Sequence, residues 1–98
     1  MNEKIYKALN EQIKHEFYSS YLYLSMASYF DNIPLEGFYK WFRKQAEEEH
    51  EHAMKIYEYI LDRNMHVDLQ AIDKPIVKFN SIEQIFELAL EHERKVTK

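Results

Sequence analysis

Ala46-Glu47-Glu48-Glu49-His50-Glu51-His52-Ala53 packs four carboxylates and two imidazoles into eight consecutive residues. An acidic run is ordinarily a solvated helix face. This one does not fit that description, because six successive helical residues at ~100° each sweep the whole circumference and one of them must point inward. The apolar stripe through the segment, at spacings of three and four, is Phe38, Phe42, Gln45, Glu49, His52 or Ala53, Ile56 and Ile60. Glu49 and His52 therefore interrupt a core face. Carboxylates are seldom buried unless they are paired or bound to metal, since an ionised group in an apolar interior costs several kcal/mol or a large pKa shift.

The same interruption occurs on either side of this segment. Upstream, Ile5, Leu9, Ile13, Glu16, Ser20, Tyr23, Ala27 and Phe30 form one helical face with Glu16 in its middle. Downstream, Ile82, Phe86, Ala89, Glu93 and Val96 form another, broken by Glu93. Chain punctuation falls at Asp31-Asn32-Ile33-Pro34 and between Asn64 and Ser81. The reading is an all-α chain: an antiparallel helical hairpin over 2–63, a long crossover over 65–80 and a third helix over 82–98, capped by Ser81. A 16-residue connection at up to ~3.3 Å per residue spans a bundle from end to end, which sets the third helix parallel to the second.

Register then brings the interruptions together. With the hairpin turning near 32–34, Glu16 lies about 17 residues before the turn and Glu49 about 16 after it, so both stand at one height at ~1.5 Å rise per residue. His52 follows one turn on, and Glu93 falls within ~2 residues of the same level. Three carboxylates and an imidazole converge, and Glu49 with His52 has the Glu-x-x-His spacing used by carboxylate-bridged di-iron bundles. Taken singly, Glu16 and Glu93 read as ordinary surface acids. Tyr23, on the core face two turns from Glu16, reads first as a packed tyrosine with a bonded hydroxyl. His15, His50, His66 and His92 read as surface residues.

Composition closes off other classes. With 98 residues, the chain is one small domain over 1–98, and one Gly and two Pro are too few for a turn-rich β fold. A net charge of −4, with 13 basic residues dispersed among 17 acidic ones, offers no stripe for a phosphate backbone. No Cys is present, which excludes disulfides and thiolate metal sites, so oxygen and imidazole donors point to iron or manganese. No signal-like or membrane-length apolar run is visible at the N-terminus, and a cytoplasmic protein is expected.

Leu-Asn-Glu-Gln at 9–12, Glu-Phe-Tyr-Ser-Ser-Tyr-Leu-Tyr-Leu-Ser-Met at 16–26 and the 46–53 segment together resemble the first two helices of bacterial and archaeal non-haem ferritins. Phe-Asn-Ser-Ile at 79–82 through Leu-Glu-His-Glu at 90–93 resembles the start of the family's third helix. The resemblance implies a ferritin-like four-helix bundle of which this chain supplies helices one, two and the beginning of three. It implies Glu16, Glu49 and His52 at a first iron, Glu49 bridging to a second iron held by Glu93, Glu48 at an additional inward site and Tyr23 as the tyrosine beside the centre. The implied activity is ferroxidase: Fe²⁺ is oxidised to Fe³⁺ by dioxygen at a di-iron centre before storage. The implied partners are iron, dioxygen and other subunits. Family members form shells of twenty-four, whereas a chain ending within helix three is expected to pair as a dimer or larger to cover its apolar faces. Two other readings stand beside it, a metal-free helical interaction module and a rubrerythrin-like di-iron protein. The lack of Cys-x-x-Cys counts against the usual form of the last.

Overall fold

A computed structural model describes residues 2–31 and 35–96; the expected turn at Asn32-Ile33-Pro34 and the Val96 side chain lie outside the described residues. Helix α1 (Glu3–Tyr29) starts at Asn2, whose side chain accepts the Lys4 amide at 2.7 Å. Helix α2 (Glu36–Asp62) ends where Asn64 takes a left-handed φ of 60°. There the Asn64 amide bonds the Leu61 carbonyl at 2.9 Å and the Met65 amide bonds Ile60 at 3.3 Å, the paired bonds of a Schellman closure. Helix α3 (Ile82–Val96) starts at Ser81, whose hydroxyl accepts the Gln84 amide at 3.1 Å. The three helices match the expected elements to within a residue or two, and no strand occurs among the described residues.

Packing fixes the directions. Phe30, at the end of α1, stacks on Phe42 near the start of α2 with centroids 5.5 Å apart, while Ile13 packs with Ala53 and Ile60 at the other end. α1 and α2 are therefore antiparallel. Phe86 of α3 lies against Phe38 and Phe42, whereas His92 and Glu93 reach Ser19 and Tyr23 further back along α1. Advancing along α3 means retreating along α1, so α3 runs parallel to α2 as the long connection requires.

The connection is held against α1 at both ends. Asn10, buried, accepts the Asp68 amide at 3.0 Å through Oδ1, and Ser25 donates to the Ile76 carbonyl at 2.6 Å. Fifteen helical residues separate Asn10 from Ser25, ~22 Å, which eight residues of extended chain cover comfortably.

The buried face of α1 is wider than one stripe. Ser19, Leu22 and Met26 are buried alongside Ile13, Glu16, Tyr23, Ala27 and Phe30, because α1 touches α2 on one flank and the crossover and α3 on the other. Ile5, by contrast, is 55% exposed and leaves the core that its spacing placed it in. Among the described residues of α3, Ile85 and Ala89 are buried, while Phe86 stays partly exposed with its ring against the aromatic cluster. The α3 face is thus rotated from the expected stripe. No helix among the described residues is long and apolar enough to cross a membrane.

Candidate metal centre

Between the two apolar clusters, α1 and α2 bring polar side chains together. Glu16 Oε2 lies 3.1 Å from His52 Nδ1, and the same nitrogen lies 3.8 Å from Glu49 Oε1. One donor atom from each of the three residues falls within 4.8 Å of the others, a separation that a single cation can bridge. The Glu16 and Glu49 side chains retain 11% and 15% of their exposure, against 55% for His52. The group has a buried carboxylate floor and an open imidazole side. Gln12 donates to Glu16 Oε1 at 3.1 Å, so both oxygens of Glu16 are oriented, one from its own helix and one from across the hairpin.

Two carboxylates at this depth resist ionising together. Burial pushes the Glu49 carboxyl up to about 7, helped by the negative charges of Glu16 and Glu93 and opposed by His52. A cation seated there removes the repulsion, so the metal-free arrangement is electrostatically poised for a positive charge.

Glu93 reaches this level from α3 but stands outside the three-residue group. Its Oε1 accepts a hydrogen bond from Tyr23, and its charge is felt at Glu49. Tyr23 is buried, and its phenol is held well above the usual tyrosine range by burial first and then by the bond to Glu93, so it remains a proton donor. Glu48 is half-buried on α2 and lies apart from the group.

A ferritin-like domain profile matches residues 6–98. The chain belongs to the ferritin family. It is 39% identical to a bacterial non-heme ferritin of Staphylococcus aureus over 98 residues, all of this chain and 59% of the relative. It is 43% identical over 97 residues to that of Staphylococcus saprophyticus, 99% of this chain and 58% of the relative. Among solved structures, an engineered closed form of the Archaeoglobus fulgidus ferritin superimposes with a TM-score of 0.92 at 48% identity, over 99% of this chain and 59% of that one. The open-pore ferritin of the same archaeon gives 0.91 at 48% identity, over 99% and 60%. The ferritin chain described here thus spans about three-fifths of the length of these relatives, supplying the first two helices and part of the third of the ferritin bundle.

Within this ferritin segment, one polar residue read as superficial is not. His92 is half-buried, its Nε2 lies 2.7 Å from the Ser19 hydroxyl, and its ring meets Tyr23 edge-on at 6.0 Å. Burial lowers its pKa and favours the neutral ring. Periodicity carried no signal for this contact, since His92 and Ser19 both fall beside rather than on the expected stripes. Only the rotation of α3 and the double-sided burial of α1 bring them together.

Proposed function

We propose that this chain forms the iron-oxidising half of an iron-storage ferritin, with Fe²⁺ as substrate and dioxygen as electron acceptor. The observation that carries the reading is the convergence of Glu16, Glu49 and His52 donor atoms within 4.8 Å of one another, with Glu16 buried, Glu49 partly buried and His52 exposed. Two carboxylates and one imidazole, with no thiolate in the sequence, are a donor set suited to iron or manganese.

In this reading Glu16, Glu49 and His52 would hold one Fe²⁺, and Glu49 would be shared with a second Fe²⁺ held by Glu93. The two Fe²⁺ would each give up one electron to dioxygen, which takes up two protons and leaves as hydrogen peroxide, and the Fe³⁺ formed would pass on to storage. The residues act by position. Gln12 fixes Glu16, and Tyr23 orients the Glu93 carboxylate by donating to Oε1. Glu49 loses its proton when a cation arrives, which makes binding depend on pH near neutrality. Glu48 is assigned to an additional inward iron position. Leu24, Trp41 and Leu90, each about half exposed, are covered by further helices or by other subunits of a shell, and the protein works in the cytoplasm.

The test is anaerobic Fe²⁺ titration followed by admission of dioxygen, comparing Glu49→Ala with Glu51→Ala. Glu49→Ala is expected to abolish the tight site and the oxidation that follows, and Glu51→Ala to leave both intact. Equal effects would return the acidic run to a solvated face and leave the metal-free interaction module as the better account.

A further inference from the structure

The amino-terminal half of α3 is seated by apolar contacts: Ile85 and Ala89 are buried, and Phe86 lies 5.2 Å from Phe38 and 5.6 Å from Phe42. Its other half meets α1 through polar groups. His92 Nε2 is 2.7 Å from Ser19 Oγ, and the next residue, Glu93, accepts from Tyr23. Ser19 is only 1% exposed, and its hydroxyl also lies 3.0 Å from the His15 carbonyl of its own helix. A single hydroxyl proton serves one of these neighbours, and the imidazole takes the complementary role with whichever tautomer fits.

We propose that Ser19 and His92 are positioning residues that set the rotation and axial register of α3 on α1 and thereby place the Glu93 carboxylate toward Glu49. Successive residues of a helix diverge by ~100°, while Ser19 and Tyr23 are one turn apart on one face of α1. The bond between Glu93 and Tyr23 restrains the roll of α3 at one point on α1. The bond from the adjacent residue to the adjacent turn adds a second restraint on that roll from a direction ~100° away. The geometry gives a sense of scale: with side chains ~5–6 Å from the helix axis, a 20° roll moves a carboxylate by ~2 Å, whereas a metal site tolerates ~0.5 Å. The ring of His92 also borders a cleft of about 500 Å³ between α1 and α3, lined by Leu22 and Leu88 among others, so an apolar replacement has room to settle without unfolding the chain.

This inference rests on Glu93 being a ligand, and the experiment separates the two. Co²⁺ alone is titrated into the protein and its variants, with d–d absorption and calorimetry reporting the stoichiometry and affinity of two successive sites. His92→Leu and Ser19→Ala are each expected to weaken the second site roughly tenfold, as loss of an orienting partner around metal ligands does, and to leave the Glu16-Glu49-His52 site unchanged. His92→Gln, whose amide can donate or accept from about the same point, is expected to restore the second site. Thermal melts verify that each variant is folded. If Glu93→Ala leaves the second site intact, the metal reading of Glu93 itself fails. If Glu93→Ala abolishes that site while His92→Leu does not weaken it, or if His92→Gln fails to restore it, the positioning role is overturned and the ligand assignment survives.

Discussion

The two ends of the α1–α2 pair are built on opposite principles. At one end Tyr23, Phe30, Phe38, Phe42 and Phe86 interlock with ring centroids 5.2–6.5 Å apart, nearly all attraction. A few turns away, Glu16 and Glu49 sit at low exposure beside each other with one imidazole for company, an arrangement that metal-free protein holds at a cost. The difference teaches where stability and chemistry are divided in this chain: the aromatic end holds the backbones in register, and the acidic level uses that register without contributing to it. Three helices feed the aromatic cluster, whereas the second apolar cluster, beyond the acids, draws on α1, α2 and the crossover.

If that division holds, the largest stability loss comes from the aromatic end. Phe42 is fully buried, and Phe42→Ala is expected to destabilise by ~3–5 kcal/mol in denaturant unfolding. A loss below ~1 kcal/mol breaks the comparison. Next in size is the effect of filling the acidic level. At a hundredfold excess over Kd, a metal that binds only folded protein stabilises by ~2.7 kcal/mol, seen as an upward shift of Tm with Co²⁺ or Zn²⁺. Glu49→Ala is expected to erase the shift, and its persistence would place the cation elsewhere.

Smaller, and more specific, is the dependence on pH. Glu49 keeps its proton to about 7 in the folded chain but releases it near the ordinary ~4.3 when unfolded. Between those values the folded state holds more protons, so the stability this group contributes is full below ~4.3 and is lost as pH rises toward 7. Metal-free Tm is therefore expected to fall across that window more steeply in the wild type than in Glu49→Gln. Parallel curves would mean that the two carboxylates do not feel each other. Smallest of all, the exposed Glu51→Ala should change stability by no more than ~0.5 kcal/mol, whether metal is present or not.

Much of this architecture is legible in the residues. The position of Glu16 and Glu49 at equal distances from the turn suffices to bring them face to face, because helical rise is nearly constant and the hairpin is short. Ser81 as a cap and the length of the crossover are likewise readable. What periodicity misses follows from neighbours it does not know. Asn10 looks like a surface residue until the crossover returns to lay the Asp68 amide on its side chain. His92 looks exposed because α3 was given a stripe through Phe86, whereas the aromatic cluster takes that ring only at its margin and turns Ile85 inward. A helix in contact on one side declares its orientation in sequence, but one seated between an aromatic cluster and a polar seam does not.

The long crossover, pinned at Asn10 and Ser25, gives α3 the character of a tethered ligand of the hairpin. With the crossover anchored at Ile76, only the short stretch to Ser81 tethers α3, and a short tether holds its cargo at an effective concentration on the order of millimolar, so weak contacts suffice for docking. If Glu93 holds metal as proposed, docking and metal occupancy are two binding events on one body, and linkage would make them reciprocal: whatever factor a seated α3 adds to the affinity for that metal, the metal would add to the affinity for α3. Iron arriving at the hairpin would thus recruit the helix that completes its own site, and iron leaving would loosen it.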